Sequence, residues 1–433
     1  MPVQSALDQE LREGIARVRR ADLLVGIPSF RNAGTIGHVA ATVARGLREH
    51  FADARVVLVN ADGGSEDGTQ DRVREAATDI PVITGRYVGP PGKGSAFRAI
   101  FEVAAALDVR ACAVVDSDLR SITPEWILRL LGPVVRAEAD YVTPLYARHK
   151  HDGTITNSIA YPLTRALYGH RIRQPIGGEF GFHSDLARAF LAQPVWETDV
   201  ARFGIDIFMT TTAIARHARP AQAFLGAKIH DPKDPAADLG PMFTQVVGTL
   251  FRMASENEPL WRDVRGSKDI PVVGDVTVVD PEAIEVDSAR LRAKYEGAAP
   301  EQRGLWHEVV SVDLPSPGDP AAVIDSMVWA ALVFDFLYAA LKQPARSETL
   351  ARGLLPLYYL RVASFVDEAR LMDTEQAETI VEAGARAMEK EKIERGAASP
   401  RRASSGGAPQ AQGEGPLSAS VSERVAGRGE REK

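Results

Sequence analysis

The sequence predicts an α/β fold in which a mostly parallel central sheet is flanked by helices and followed by a mainly helical C-terminal subdomain. Three observations lead there. Short apolar runs at 23–27, 54–60, 111–115 and 141–145 alternate with stretches of helical periodicity, the pattern of parallel strands joined by crossover helices. The early runs feed into turns rich in Gly, Asp and Ser before the next helical stretch begins. Beyond residue 240 the character changes, and mostly helical segments extend to about residue 395.

The totals are compatible with this. The chain has 433 residues, 45% of them hydrophobic, which is ordinary for a globular protein with a sizeable core. A net charge of −7 with acids and bases interspersed gives no reason to expect nucleic-acid binding, so an anionic ligand must be held by local cations and metal. The single cysteine, Cys112, lies inside an apolar run; it excludes an intrachain disulfide and fits a reducing, cytoplasmic setting. No apolar stretch follows the N-terminal basic residues, so no secretory signal is expected. The most apolar long segment, 321–341, is interrupted by Asp325 and Asp335 and reads as a buried helix, not a membrane span.

Taken in order, residues 2–20 read as a helix against the domain. The run 23–27 is a first strand ended by Pro28, and 28–35 is a loop into a helix at 36–50. The strand 54–60 runs into Asp62-Gly63-Gly64-Ser65, whose glycines permit a tight turn. Its Asp and Ser side chains can bond nucleotide groups or simply make the turn. In Pro91-Gly92-Lys93-Gly94 a lysine between glycines opens a helix, where backbone N–H groups, dipole and ammonium converge on an anion such as a diphosphate. The P-loop spacing is absent.

The apolar run 111–115 ends in Asp116-Ser117-Asp118. Two carboxylates at the carboxyl end of a central strand can take a divalent cation with the phosphates it carries, or can cap the helix starting near Pro124. After the strand at 141–145, Arg148-His149-Lys150-His151 forms a basic loop, suited to a small acid or to solvent, before a helix reaching 167. Gln174-Pro175-Ile176-Gly177-Gly178-Glu179 pairs glycines that let backbone approach a ligand with an acid that is partly desolvated or exposed on a turn. Asp206 opens an apolar helix and His230 ends a strand; capping and structural roles are the ordinary explanations of each. The helix at 321–341 should centre the C-terminal subdomain, whose apolar helices could supply a homodimer interface. The organisation expected is therefore an N-terminal helix to 21, an α/β domain at 22–255, a helical subdomain at 256–395 and a disordered tail at 396–433.

In this order, Pro28-Ser29-Phe30, Asp62-Gly63-Gly64-Ser65, Pro91-Gly92-Lys93-Gly94, Asp116-Ser117-Asp118, Gln174 to Glu179, Gly204-Ile205-Asp206 and His230 resemble the GT-A glycosyltransferases. They look most like the retaining enzymes that make mannosylglycerate, glucosylglycerate and glucosyl-3-phosphoglycerate. The resemblance implies a Rossmann-like GT-A domain holding a UDP- or GDP-linked hexose, with Pro28, Ser29, Phe30, Asp62, Ser65, Asp116 and Ser117 around the donor and Lys93 on its diphosphate. It implies Mg²⁺ or Mn²⁺ on Asp116, Asp118 and His230. Arg148, Thr156 and the Ile176-Gly177-Gly178 backbone would hold a small acid such as D-glycerate, and Glu179 and Asp206 would face the sugar or the acceptor hydroxyl. Two departures stand out. Arg31-Asn32 replaces the usual Asn-Glu pair, and Thr154 stands where the phosphoglycerate enzymes carry an arginine, which favours an unphosphorylated acceptor. A 3-phosphoglycerate acceptor, a sugar nucleotidyltransferase and a non-catalytic sugar-nucleotide sensor are the competing expectations.

Overall fold

The computed structural model describes residues 5–229, 235–277 and 281–398. The first half alternates strand and helix: α1 (Gln9–Val18), β1 (Leu23–Ser29), α2 (Ile36–His50), β2 (Val56–Asp62), α3 (Thr69–Ala76), β3 (Val82–Arg86), α4 (Lys93–Ala106), β4 (Ala111–Val114), α5 (Pro124–Val135) and β5 (Tyr141–Ala147). A short π-helical turn at Thr156–Ala160 leads into α6 (Tyr161–Tyr168), followed by β6 (Phe180–His183), α7 (Ser184–Leu191), α8 (Ile205–Ala215) and β7 (Pro220–Ala227). Then come α9 (Pro235–Glu256), α10 (Glu258–Trp261), β8 (Val272–Val273), α11 (Ser288–Val309), α12 (Ser326–Lys342), α13 (Ser347–Glu368) and α14 (Thr374–Ala398).

The strands form one sheet in the order β3-β2-β1-β4-β6-β5-β7-β8. Parallel pairing joins β3, β2, β1 and β4, and again β5, β7 and β8. Only β6 runs antiparallel, between β4 and β5. This is the expected GT-A arrangement, a mostly parallel sheet with helices on both faces. Strand side chains alternate between two cores. Leu23, Val25, Ala111 and Ala113 pack with α2 and α5, whereas Leu24, Cys112 and Val114 pack with α4 and α8. Burial on both faces explains why the strands read as continuous apolar runs.

Two local readings are corrected. Strand β1 does not stop at Pro28 but continues to Ser29, paired with Ala61 and Asp62 of β2. Its pairing with β4 ends at Gly26, so Pro28 lies where one neighbour has already left, a position that tolerates a missing N–H. The segment after Glu179 is also more than a turn, since Phe180, Gly181, Phe182 and His183 form β6.

A third core joins α6 and α9 to α11, α12 and α13, with Phe243 stacked on Tyr358 at 4.3 Å. The helical subdomain expected from 256 therefore shares its interior with elements of the α/β domain, and residues up to Gly396 pack as one compact unit. Within α12, Asp335 is buried but accepts hydrogen bonds from the Ser311 backbone and hydroxyl and from Arg395. That satisfies the acid which interrupts the apolar run. No described helix is long and apolar enough to cross a membrane. The disordered-tail expectation falls almost wholly on residues outside those described.

Candidate active site

The loops at the carboxyl ends of β1, β2, β4, β5 and β7 converge, as ligand-binding loops of open α/β sheets do. The antiparallel β6 contributes through its entrance. Because it runs against its neighbours, its N-terminal end lies beside their carboxyl ends, and the register Val114 to Phe180 sets Glu179 and Gly178 against the start of the Asp116-Ser117-Asp118 turn. Gly178 has φ +98°, and an added Cβ would run into the Asp116 carboxylate and approach Lys228 Nζ at 3.0 Å. Only glycine fits there.

At this mouth three acids and two lysines interlock. Lys93 Nζ lies 2.8 Å from Asp116 Oδ1 and 3.4 Å from Asp206 Oδ1. Lys228 Nζ donates to Asp116 Oδ2 at 3.1 Å, to both oxygens of Glu179 at 3.0 and 2.9 Å, and to the Gly177 carbonyl at 2.9 Å. Tyr146 donates to Glu179 Oε2 at 2.5 Å. Glu179 is fully buried, and its burial raises its pKa against the pull of Lys228. Asp206 is raised by the same cause, with Lys93 opposing. Burial alone would lower both lysines, but the carboxylates around them outweigh it and hold them charged.

The expected donor side is organised by Asp62, which is buried and fully bonded. Its Oδ1 accepts from the hydroxyls of Ser29 and Ser65 at 2.7 and 2.8 Å, and its Oδ2 from the backbone N–H of Gly64 and Ser65 at 2.8 and 2.6 Å. Asp62 thus shapes the loop with every lone pair already spoken for. Ser65 Oγ accepts from the Arg31 backbone, and Ser117 donates to Asn32, so the Arg31-Asn32 departure is built into the loop. Phe30 is 53% exposed beside this turn, with the Arg31 guanidinium 5.0 Å from its ring.

On the acceptor side Arg148 pairs with Asp152 at 2.9 Å, contacts Gln174 at 3.4 Å and lies 5.3 Å over the Tyr146 ring. A Cβ at Gly153 would lie 3.7 Å from Arg148 Nη1 and 3.8 Å from Thr156 Cβ, so the two expected acceptor residues flank one turn. Ile176 packs on the C-terminal core. Thr154 is buried and shares a 2.7 Å hydrogen bond with Tyr358 of α13.

Of the expected metal donors, two are described, and both oxygens of one of them, Asp116, are held by Lys93 and Lys228. Asp116 and Asp118 are both half-buried at one strand end, and paired carboxylates suit a hard ion such as Mg²⁺ or Mn²⁺. No cluster of three metal-ligating side chains occurs among the described residues, and His230 lies outside them. The backbone just before it is described: Ile229 bonds to Arg120 and Ser121, immediately beyond Asp118. Sequence reasoning missed Lys228 and Tyr146. A lysine two positions before His230 at a strand end, and a tyrosine two before Arg148, were the available signals.

No family model matches the chain. It is 27% identical to the glucosyl-3-phosphoglycerate synthase of Mycolicibacterium smegmatis over 52% of this chain and 76% of that protein. The enzyme of the same name from Petrotoga mobilis is 23% identical over 56% of this chain and 77% of its own. The chain is a nucleotide-sugar-dependent glycosyltransferase of the GT-A kind. A shorter match joins the transferase to the Persephonella marina enzyme of that name, 31% identical over 30% of this chain and 36% of that protein. Among solved structures, glucosyl-3-phosphoglycerate synthase from Mycobacterium tuberculosis with Mn²⁺, UDP and glucosyl-3-phosphoglycerate aligns at 25% identity and TM-score 0.44, over 58% of the transferase and 86% of that chain.

Proposed function

We propose that the transferase moves a glucosyl group, with retention, from a nucleoside-diphosphate glucose to a hydroxyl of a three-carbon acid, with 3-phosphoglycerate the first acceptor to test. The observation that carries this is the cluster of Lys93 and Lys228 among Asp116, Glu179 and Asp206, linked to Arg148 through the Tyr146 ring, which lies 5.5 Å from Lys228 Nζ and 5.3 Å from the Arg148 guanidinium. The kinship to three proteins named glucosyl-3-phosphoglycerate synthase supports the acceptor.

As the bond from C1 to the diphosphate breaks, negative charge grows on the departing phosphate, and Lys93 at the start of α4 is positioned to meet it. Lys228 fixes Asp116 and Glu179 relative to one another and to the Gly177 carbonyl. Glu179 is enclosed by Tyr146 and Lys228, which leaves it unsuited to covalent attack and suited to holding Lys228 in place. The acceptor hydroxyl then enters on the face the diphosphate leaves, and the departing phosphate takes its proton. Asp116 and Asp118, with His230 as the expected third ligand, would hold Mg²⁺ or Mn²⁺. That ion supplies charge stabilisation to the leaving group when bound.

A second reading, transfer to unphosphorylated D-glycerate, is favoured by a specific observation. Thr154 is tied to Tyr358, Arg148 is paired with Asp152, and Lys150 donates to the carbonyls of Ala369, Arg370 and Met372. The cations of the basic loop are thus engaged within the protein. A test crosses UDP- and GDP-linked glucose and mannose with 3-phosphoglycerate and D-glycerate, with products read by mass and anomeric configuration by NMR. An inverted product, or no transfer to either acid, would defeat the proposal.

A further inference from the structure

We propose that Arg173, on the segment between α6 and β6, is a positioning residue through which helix α14 sets the acceptor turn. The inference rests on the acceptor reading above. Its Nε and Nη2 meet both oxygens of Glu378 on α14 at 2.7 and 2.8 Å, and the same Nη2 donates to Asn157 Oδ1 at 2.8 Å. Asn157 in turn donates from its side chain to the Asp152 carbonyl at 3.0 Å and from its backbone to the Gly153 carbonyl at 2.9 Å. Asp152 and Gly153 are the residues against which Arg148 and Thr156 rest. The neighbour of Arg173 along the chain, Gln174, contacts Arg148 from the other side and donates to the Tyr146 carbonyl at 3.1 Å. The guanidinium therefore ties the C-terminal helix to the Asp152 flank of the Arg148 side chain, and the Arg173 backbone carries Gln174 to its other contact, without Arg173 itself belonging to the acceptor set.

The chemistry suits positioning more than stability. Glu378 is 43% exposed and Arg173 19%, so the pair is partly screened by water and its contribution to folding is modest. A two-pronged guanidinium–carboxylate contact, however, fixes orientation as well as distance, which a lysine ammonium cannot do. The backbone N–H of Arg173 is also anchored, donating to Gln222 of β7 at 2.7 Å, so the side chain swings from a fixed point on the sheet.

The test uses the full-length protein and steady-state kinetics with the acid the parent accepts. Arg173→Lys keeps the charge and loses the fork, and Glu378→Gln keeps the shape and loses the charge. Each should raise the acceptor KM about tenfold while leaving donor KM, acceptor-independent hydrolysis of the sugar nucleotide and the melting temperature close to the parent's. In a double-mutant cycle Glu378→Gln with Asn157→Leu should raise acceptor KM no further than Asn157→Leu alone. A variant with a lowered melting temperature and an unmoved acceptor KM would show that the pair only fastens the helix, and would overturn the proposal. A parent protein inert toward every acid sinks the functional reading and this proposal together; an active parent with unmoved variants sinks this one alone.

Discussion

The two walls of the candidate site are built differently. On the donor wall Asp62 takes its bonds from Ser29, Gly64 and Ser65, all from one strand pair and its turn. On the acceptor wall Thr154 bonds Tyr358 and Lys150 bonds the carbonyls after α13, partners more than two hundred positions away. The difference teaches that the Asp62 turn of the donor wall is held within one strand pair, with Ser117 from the end of β4 added through Asn32, whereas the acceptor wall leans on the C-terminal helices. Acceptor choice can then shift through residues of α13 and α14 that never touch a substrate.

The largest expected effect lies where the walls meet. Replacing Lys93 with Met removes the cation that joins Asp116 to Asp206 and that is proposed to meet the departing phosphate, and kcat should fall about 10²–10³-fold with the secondary structure retained. Circular dichroism beside single-turnover rates checks this, and a variant within tenfold of the parent would remove Lys93 from the reaction. Next, Asp62→Ala strips four hydrogen bonds from the donor turn and should cost on the order of 3 kcal/mol, read from the denaturation midpoint. Donor KM should rise and acceptor KM stay put. Movement of both would mean that the walls are not separable.

How much of this was legible in the sequence follows the same division. The Asp116-Ser117-Asp118 turn and the Asp62 loop announced themselves as short motifs at the end of an apolar strand, and Lys93 as a lysine between glycines opening a helix, and the parallel topology followed from the alternation around them. Asp62 is instructive: its position was legible, but its complete engagement by neighbouring donors was not, since the pattern is the same whether the acid bonds a ribose or its own turn. Lys228 and Tyr146 were missed because each is a single residue without a motif, given meaning only by the reversed strand β6, which carries Glu179 to the mouth. The commitment of Lys150 and Thr154 could not be read at all, for their partners lie in α13 and the turn that follows it, whose docking no local pattern encodes.

A smaller effect probes that docking directly. Lys392 on α14 is buried, donates to the Val264 carbonyl at 2.7 Å and lies 5.7 Å from the Trp261 ring; burial, aided by Arg265, lowers its pKa to about 8. An unfolded lysine keeps its proton to about pH 10.5. Between those values the unfolded state binds more protons, so stability should rise with pH across that window, by an amount on the order of 2 kcal/mol. Lys392→Met should lose this increment, visible as the difference between the two proteins' denaturation midpoints at pH 7.5 and pH 10. Parallel profiles would place the ammonium in water and loosen α14 from the wall it braces.

The smallest effect sharpens the comparison most. Thr154→Val keeps the size of the side chain but leaves the buried Tyr358 hydroxyl without its partner, which should cost about 1–2 kcal/mol. Tyr358 also stacks on Phe243 of α9, so the strain is shared between the acceptor turn and the C-terminal core. If that core sets the acceptor wall, acceptor KM should rise several-fold in Thr154→Val while donor KM does not move, and Tyr358→Phe, which removes the hydroxyl from the other side, should produce the same split. An acceptor KM unchanged in both variants would mean that the turn holds its shape without the helix behind it, and the acceptor wall would then be as local as the donor wall.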